Sequence, residues 1–233
     1  MLTAGQTLLW VSLNEIETTT LKAARSAGYS WGMAEEAGRA CRWLAMRGLP
    51  WLRPLTDGVL SQLHRLESFD SAKRTGSTFG PSDQLRSLGP ISVLVALSDE
   101  IIPLPPPSAE LSWRNLAAPV MLLPALTRLS KRFDKPILIR WPGVALECRA
   151  GEIFTDGAGR NCLEATAADW VTITRDNSGP AIIRGSISTV RHQGAEVSAL
   201  QWRGLLAIAE PTHIPEAETS RLTGAGTGHT DNE

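Results

Sequence analysis

Four prolines in five residues, Pro103-Leu104-Pro105-Pro106-Pro107, divide this chain into two textures. Proline has no amide hydrogen and holds φ at about −65°, so neither a helix nor a central strand runs through such a stretch. It is a stiff connector. Before it, apolar residues recur at three- and four-residue steps. From Pro136 onward they fall in short β-branched runs between turn residues. The spacing predicts an α+β chain. Its N-terminal half is helical with an αα-hairpin; its C-terminal half is strand-rich, of antiparallel type, with one late helix. Residues 1–102 then form a mainly helical part and 109–233 a mixed part ending in a Gly-rich tail. At 233 residues a single cooperative domain is equally open.

Ser12-Leu13-Asn14-Glu15 is a capping box: Ser12 caps the helix and Glu15 reaches back to its amide. Leu13, Ile16, Thr20, Ala23 and Ala27 follow on one helix face, and Gly28 stops it. Ser30 opens a second helix whose inner face is Ala34, Ala37, Cys41 and Leu44, ended by Gly48 and Pro50. The short link and small facing residues predict a close hairpin. Thr56 or Asp57 can cap a third helix carrying Val59, Leu60, Leu63 and Leu66. Residues 68–87 are polar and predict a long loop. Residues 91–98 suit either a strand or a short buried helix.

Beyond the connector, Leu122, Leu126, Leu129 and Phe133 mark a helix, with Pro119 or Pro124 in its first turn. Lys131, Arg132 and Lys135 suit the negative end of its dipole. Residues 137–141, 144–148 and 170–174 predict strands, with weaker signals at 182–184 and 187–190. A last helix is expected over 197–209, with Val197, Leu200, Leu205 and Ile208 inward.

Lys and Arg (23) nearly balance Asp and Glu (24), and no basic stripe is evident, so nucleic acid is not an expected partner. The start lacks a signal-peptide pattern, and no apolar run approaches the ~20 residues of a membrane span. A soluble, cytoplasmic protein is expected. Cys41, Cys148 and Cys162 are odd in number and widely spaced, which predicts reduced thiols and no structural metal. Eight Trp stand against one Tyr and four Phe. Most are expected as core or interface anchors.

Two stretches together resemble a known but uncharacterised family. Ser12-Leu13-Asn14-Glu15 with Trp31-Gly32-Met33-Ala34-Glu35-Glu36-Ala37-Gly38 opens the chain, and Ser220 to Asn232 closes it. The pairing is similar to a proteobacterial domain of unknown function, a resemblance that supplies no activity, substrate or catalytic residues to carry over and leaves the cofactor unknown. By helix pattern, the first ~40 residues also look similar to the start of the non-Rossmann malate/lactate dehydrogenases. Those proteins continue to a Ser-His-Gly motif. Here His64 lies in Gln62-Leu63-His64-Arg65, so the dehydrogenase reading is set aside.

The tail is the segment least explained by packing. Gly224, Gly226 and Gly228 alternate with small residues, and alternating glycines let backbone amides approach an anion. With Ser220 and Arg221 they can form an anion-holding nest. His229 and Asp231 stand close behind as further ligand-binding candidates. A dinucleotide loop needs a strand before and a helix after, and neither is expected here. Two functional classes follow. One is a small-molecule-handling protein, enzyme or accessory, with the tail near a small anionic metabolite. The other is a non-catalytic interaction or assembly subunit that uses Trp-rich surfaces to bind a protein partner or a further copy of itself as an oligomer.

Overall fold

The computed structural model describes residues 7–155, 157, 160–175, 185–186 and 192–212. Among them the chain is α+β, with helices first, strands in the middle and later part, and one late helix.

Strand β1 (Leu8–Ser12) leads directly into helix α1 (Leu13–Ser26). The capping box forms: the Ser12 amide donates to Glu15 Oε2 at 2.9 Å, and the Glu15 amide donates to Ser12 Oγ at 3.3 Å. The Ser12 hydroxyl, which donates to Glu15 Oε2 at 2.6 Å, and then the Ser12 amide hold the Glu15 carboxyl below its ordinary pKa. Helix α2 (Trp31–Met46) is capped by Ser30. Its inner residues Ala34, Ala37, Cys41 and Leu44 are fully buried, as their spacing predicts. The two helices touch at Gly38, where an added Cβ would lie 2.8 Å from the Glu17 carbonyl oxygen.

The third predicted helix is not one element. Pro54–Leu60 is a π-helix, Leu63–Arg65 a 3₁₀ turn, and Leu66–Glu67 the short strand β2. Gly58 presses against the Thr166 carbonyl oxygen, 2.7 Å from where its Cβ would be. Glu67 is buried and accepts from the Ser82 amide (2.8 Å) and hydroxyl (2.9 Å), which draws the chain into the sheet. The expected 68–87 loop contains β3 (Lys73–Thr75), β4 (Thr78–Gly80) and the start of β5 (Ser87–Leu88). The ambiguous 91–98 segment is helical, within α3 (Pro90–Ser98). Pro90 opens it, and Ile91, Val93, Leu94, Ala96 and Leu97 are buried all round, so burial overrides β-branched preference.

Strand β6 (Glu110–Ala117) follows the connector, and its period-two pattern is hidden by a kink: Asn115 has φ +48°. Leu111 and Trp113 point inward; after the kink Leu116 and Ala117 are buried in succession. Helix α4 (Leu123–Phe133) carries Pro124 in its first turn. Strands β7 (Ile137–Trp141), β8 (Val144–Arg149) and β9 (Glu152–Thr155) form an antiparallel meander. A short helix α5 (Arg160–Leu163) leads to β10 (Ala167–Thr174), antiparallel to both β6 and β7. Strand β11 (Gly185–Ser186) joins β9.

The sheet order is β11-β9-β8-β7-β10-β6-β4-β3, with β5 also on β6 and β2 on β5. The β4–β6, β5–β6 and β2–β5 joins are parallel, inside an otherwise antiparallel sheet. Because β4 and β5 precede the prolines and β6 follows them, the sheet is continuous across the connector.

Strand β12 (Gly194–Ser198) pairs with β1 in a separate two-stranded ribbon and leads into α6 (Ala199–Ala209). The late helix thus begins two residues after the predicted start. Val197 belongs to the ribbon, and Ala199, Trp202, Leu205 and Ala209 face inward while Leu200 is 77% exposed. Trp202 sets this phase by meeting Trp51 edge to face, with centroids 6.3 Å apart. The strand signals at 182–184 and 187–190 and the tail from 213 lie outside the described residues.

Candidate functional site

Helices α2 and α4 face each other across a cavity of about 400 Å³, closed at one end by the β8–β9 turn and floored by Ala40, Leu94 and Pro124. From α2 come Glu36, Arg39 and Trp43, on one helical face, and from its C-cap comes Arg47. From α4 come Thr127, Arg128 and Lys131, with Lys131 four and three residues beyond the other two and so their neighbour on the helix surface. Four cations and two carboxylates, Glu36 and Glu152, therefore line a single opening.

The cations differ in how they are held. Arg39 is tethered to its own helix, 3.0 Å from Glu35 and 2.5 Å from Glu36. Arg47 is buried. Its Nη2 donates to the Gly151 carbonyl oxygen at 3.1 Å and lies 3.9 Å from Glu152, and its guanidinium carbon sits 4.1 Å from the Trp43 ring centroid. A buried charge needs such partners, and this one locks α2 to the β8–β9 turn. Arg128 donates to a neutral acceptor, Ser98 Oγ, at 3.1 Å. Lys131 packs its methylenes on Gly151, whose added Cβ would meet Lys131 Cδ at 3.3 Å. The turn itself is tight: Ala150 and Gly151 have φ of +51° and +88°, a two-residue hairpin in which Ala150 is strained.

Thr127 donates its hydroxyl to the Leu123 carbonyl oxygen at 2.7 Å, and the same hydroxyl oxygen lies 3.5 Å from Cys148 Sγ on β8. Cys148 lies behind it, fully buried, its thiol pushed up to about 12 by burial. By charge and shape the cavity can hold an anion, with Arg128 and Lys131 offering charge that no carboxylate among the described residues pairs.

The tail residues Ser220, Arg221, Gly224, Gly226, Gly228, His229 and Asp231 lie outside the described residues. Arg42 turns away from Arg39 and meets Glu17 of α1 at 2.7 Å. His64 sits on the 3₁₀ turn, and His192 is exposed beside Gly48. Among the described residues no group of three or more His, Cys, Asp or Glu is placed to hold a metal. No helix among them is long and apolar enough to cross a membrane. What the sequence reading missed was convergence. Trp43 and Arg47 extend the Arg39 face, but nothing local says that α4 stands opposite.

Residues 11–78 match the model of a family described as "Protein of unknown function (DUF3726)". The match supports an uncharacterised domain family over this part of the chain. It contains the two opening stretches that carry the resemblance and the whole α2 wall of the cavity; α4 and the closing stretch lie beyond it. No curated protein and no solved structure matches the chain.

Proposed function

We propose that this protein handles a small organic anion, as an enzyme or an enzyme accessory, and binds it between α2 and α4. The observation that carries this is the convergence of Arg39, Arg47, Arg128 and Lys131 on a cavity of about 400 Å³ whose lining holds two carboxylates, Glu36 and Glu152. That volume falls in the range of roughly 300–1,000 Å³ common to small-ligand sites. The apolar floor suits a short carbon skeleton. Arg128 and Lys131 contact the ligand's charge; Arg47 holds the wall. The Gly-rich tail from Ser220 to Asp231 is proposed to add backbone donors to the same anion. The three free thiols and the likeness of both chain ends to a proteobacterial family support a bacterial, cytoplasmic setting.

A thermal-shift panel of mono-, di- and hydroxycarboxylates tests the proposal. A ligand at 100 times its Kd stabilises by about 2.7 kcal/mol, which raises Tm by roughly 5–10 °C in a chain this long. The double change Arg128→Gln, Lys131→Gln is expected to remove that rise without lowering the unliganded Tm by more than about 2 °C, since both side chains lie at the rim. Deleting 220–233 separates the tail's share from the cavity's. A panel without a single shift, or full binding by the double variant, overturns the proposal.

One observation favours the assembly reading. On the β1–β12 ribbon Leu8, Leu9 and Trp10 are exposed, Trp10 by 63%, and Leu200 stands exposed at the start of α6. A concentration-dependent oligomer that Trp10→Ser dissociates, in a protein that binds no anion, would put this reading first.

A further inference from the structure

A second cavity, of about 820 Å³, is lined by β3, β4, β6, β10 and the 81–86 loop, shares no lining residue with the α2–α4 cavity, and is independent of the anion proposal. It opens at a gap in the sheet. Strand β4 covers β6 at Ser112 and Trp113, and β5 covers it again at Leu116. Between them the register has no pair: Gly80, the last residue of β4, still lies beside Arg114, its added Cβ 3.6 Å from Arg114 Cβ, and Asn115 is paired with neither strand. On the other side the ladder with β10 also breaks: Arg114 faces Trp170 and Leu116 faces Ala168, but the intervening Asn115–Asp169 pair is absent. Asn115 holds a left-handed backbone at φ +48° in the middle of a central strand. Such a residue costs on the order of 1–3 kcal/mol and persists where surrounding structure fixes it, often at sites of function.

The side chains around this gap have a definite chemistry. Trp170 presents its indole to solvent, 43% exposed, at the centre of the sheet, where an apolar ring is usually covered. Arg114 stands beside it in register. Among the described residues its guanidinium makes no hydrogen bond or ion pair, and neither does the Asn115 amide. Lys73 reaches in from β3, with one of its three donors on the Ser82 carbonyl oxygen at 3.2 Å. Gln84 and Asp169 complete the polar rim. The 81–86 loop that bounds the opening is fixed through Ser82 on the buried Glu67 carboxylate.

We propose that this gap binds a nucleoside monophosphate. The exposed Trp170 face stacks on the base, since any base offers a π-face. The Asn115 and Gln84 amides each carry donors and an acceptor, as a base edge requires. Asp169, an acceptor-only carboxylate, takes the paired ribose hydroxyls. Arg114 and Lys73 take the phosphate, a fork and a point charge. The volume lies inside the ligand-pocket range of roughly 300–1,000 Å³.

The test is isothermal titration of the full chain with AMP, GMP and UMP, with adenosine, ribose 5-phosphate and inorganic phosphate as partial ligands. At least one nucleotide should bind, and adenosine and ribose 5-phosphate should each bind at least about tenfold more weakly. Trp170→Ala should weaken the nucleotide about 5- to 150-fold, the range for loss of one stacked base. Arg114→Gln should weaken the nucleotide and leave adenosine unchanged. Lys131→Gln, in the other cavity, should change neither. Circular dichroism and Tm of each variant show whether it is folded; Trp170→Phe, which keeps a π-face, should retain most binding if Trp170→Ala is unstable. Absence of binding by all three nucleotides overturns the proposal. So does equal binding of ribose 5-phosphate, or wild-type affinity in folded Trp170→Ala.

Discussion

Gly38→Ala is expected to loosen the α1–α2 hairpin although alanine is the better helix former. The added Cβ would stand 2.8 Å from the Glu17 carbonyl oxygen, 0.6 Å short of the 3.4 Å at which ordinary contact begins. That oxygen belongs to α1's backbone and cannot rotate away, so the helices must part. A gap of about 0.5–1 Å forfeits a quarter to a half of the dispersion energy between facing atoms. Here those atoms belong to Ile16, Thr20, Ala34, Ala37 and Cys41, all essentially inaccessible. Overpacking of this kind costs typically about 1–3 kcal/mol, while replacing helical glycine by alanine returns about 0.8–1.0 kcal/mol. Gly204→Ala isolates the second term: Gly204 is inside α6, and its added Cβ would meet nothing within 4 Å. Gly204→Ala should therefore stabilise by up to about 1 kcal/mol, and the two variants should differ by about 1–3 kcal/mol. Urea denaturation at constant m-value measures both. A difference below about 0.5 kcal/mol would refute the close-crossing argument. Because Arg39 and Ala40 follow Gly38 directly, the same variant should weaken anion binding between α2 and α4.

Leu44→Ala, at a fully buried position in α2, should destabilise by about 2–5 kcal/mol; a loss below about 0.5 kcal/mol by denaturant titration would dismiss that helix face as core. Cys41 and Cys148 are buried and Cys162 is partly exposed, so a thiol reagent should label Cys162 first and the other two only after unfolding. A disulfide detected in the denatured, unreduced protein would contradict the three free thiols. Burial raises the Cys41 and Cys148 thiols from 9.0 to about 12, so the unfolded chain releases these protons first. Stability is then unaffected well below pH 9 and falls between pH 9 and 12, by up to about 1.4 kcal/mol per pH unit per thiol. Cys41→Ala with Cys148→Ala should flatten that fall; an unchanged slope would assign it to other groups.

The hairpin was legible because its signals are local. Ser12 and Glu15 are three residues apart, Ser30 stands at the next start, and the buried faces follow a 3.6-residue period that no distant contact revises. Strand β6 was not legible for the opposite reason. Its alternation holds at Leu111 and Trp113, then slips where Asn115 turns left-handed, and a period broken by a kink looks like no period. The 54–66 stripe misled in the same way. Val59, Leu60, Leu63 and Leu66 have helical spacing, but Gly58 against Thr166 and Glu67 against Ser82 redirect the chain through contacts distant in sequence.

Both candidate cavities depend on contacts of that distant kind. Arg39, Trp43 and Arg47 are legible as one helix face, and Thr127, Arg128 and Lys131 as another, yet each alone has a plain explanation as a solvated surface. What makes the pair a site is that the Ala150–Gly151 turn brings Arg47 and Lys131 against the same residue: Arg47 donates to the Gly151 carbonyl oxygen, and the Lys131 stem lies against the place where a Gly151 Cβ would stand. Glycine at that turn is readable in advance as a hairpin signal, since its φ of +88° excludes most side chains. Its second role, admitting the Lys131 stem to close contact, is not. A Gly151→Ala variant combines the two effects: strain at a left-handed position and a Cβ 3.3 Å from Lys131 Cδ. The lysine stem is flexible and can move aside, so the change acts on the cavity through Lys131's position while Arg47 keeps its carbonyl acceptor. The two walls of the cavity thus share one residue that carries no charge and no functional group.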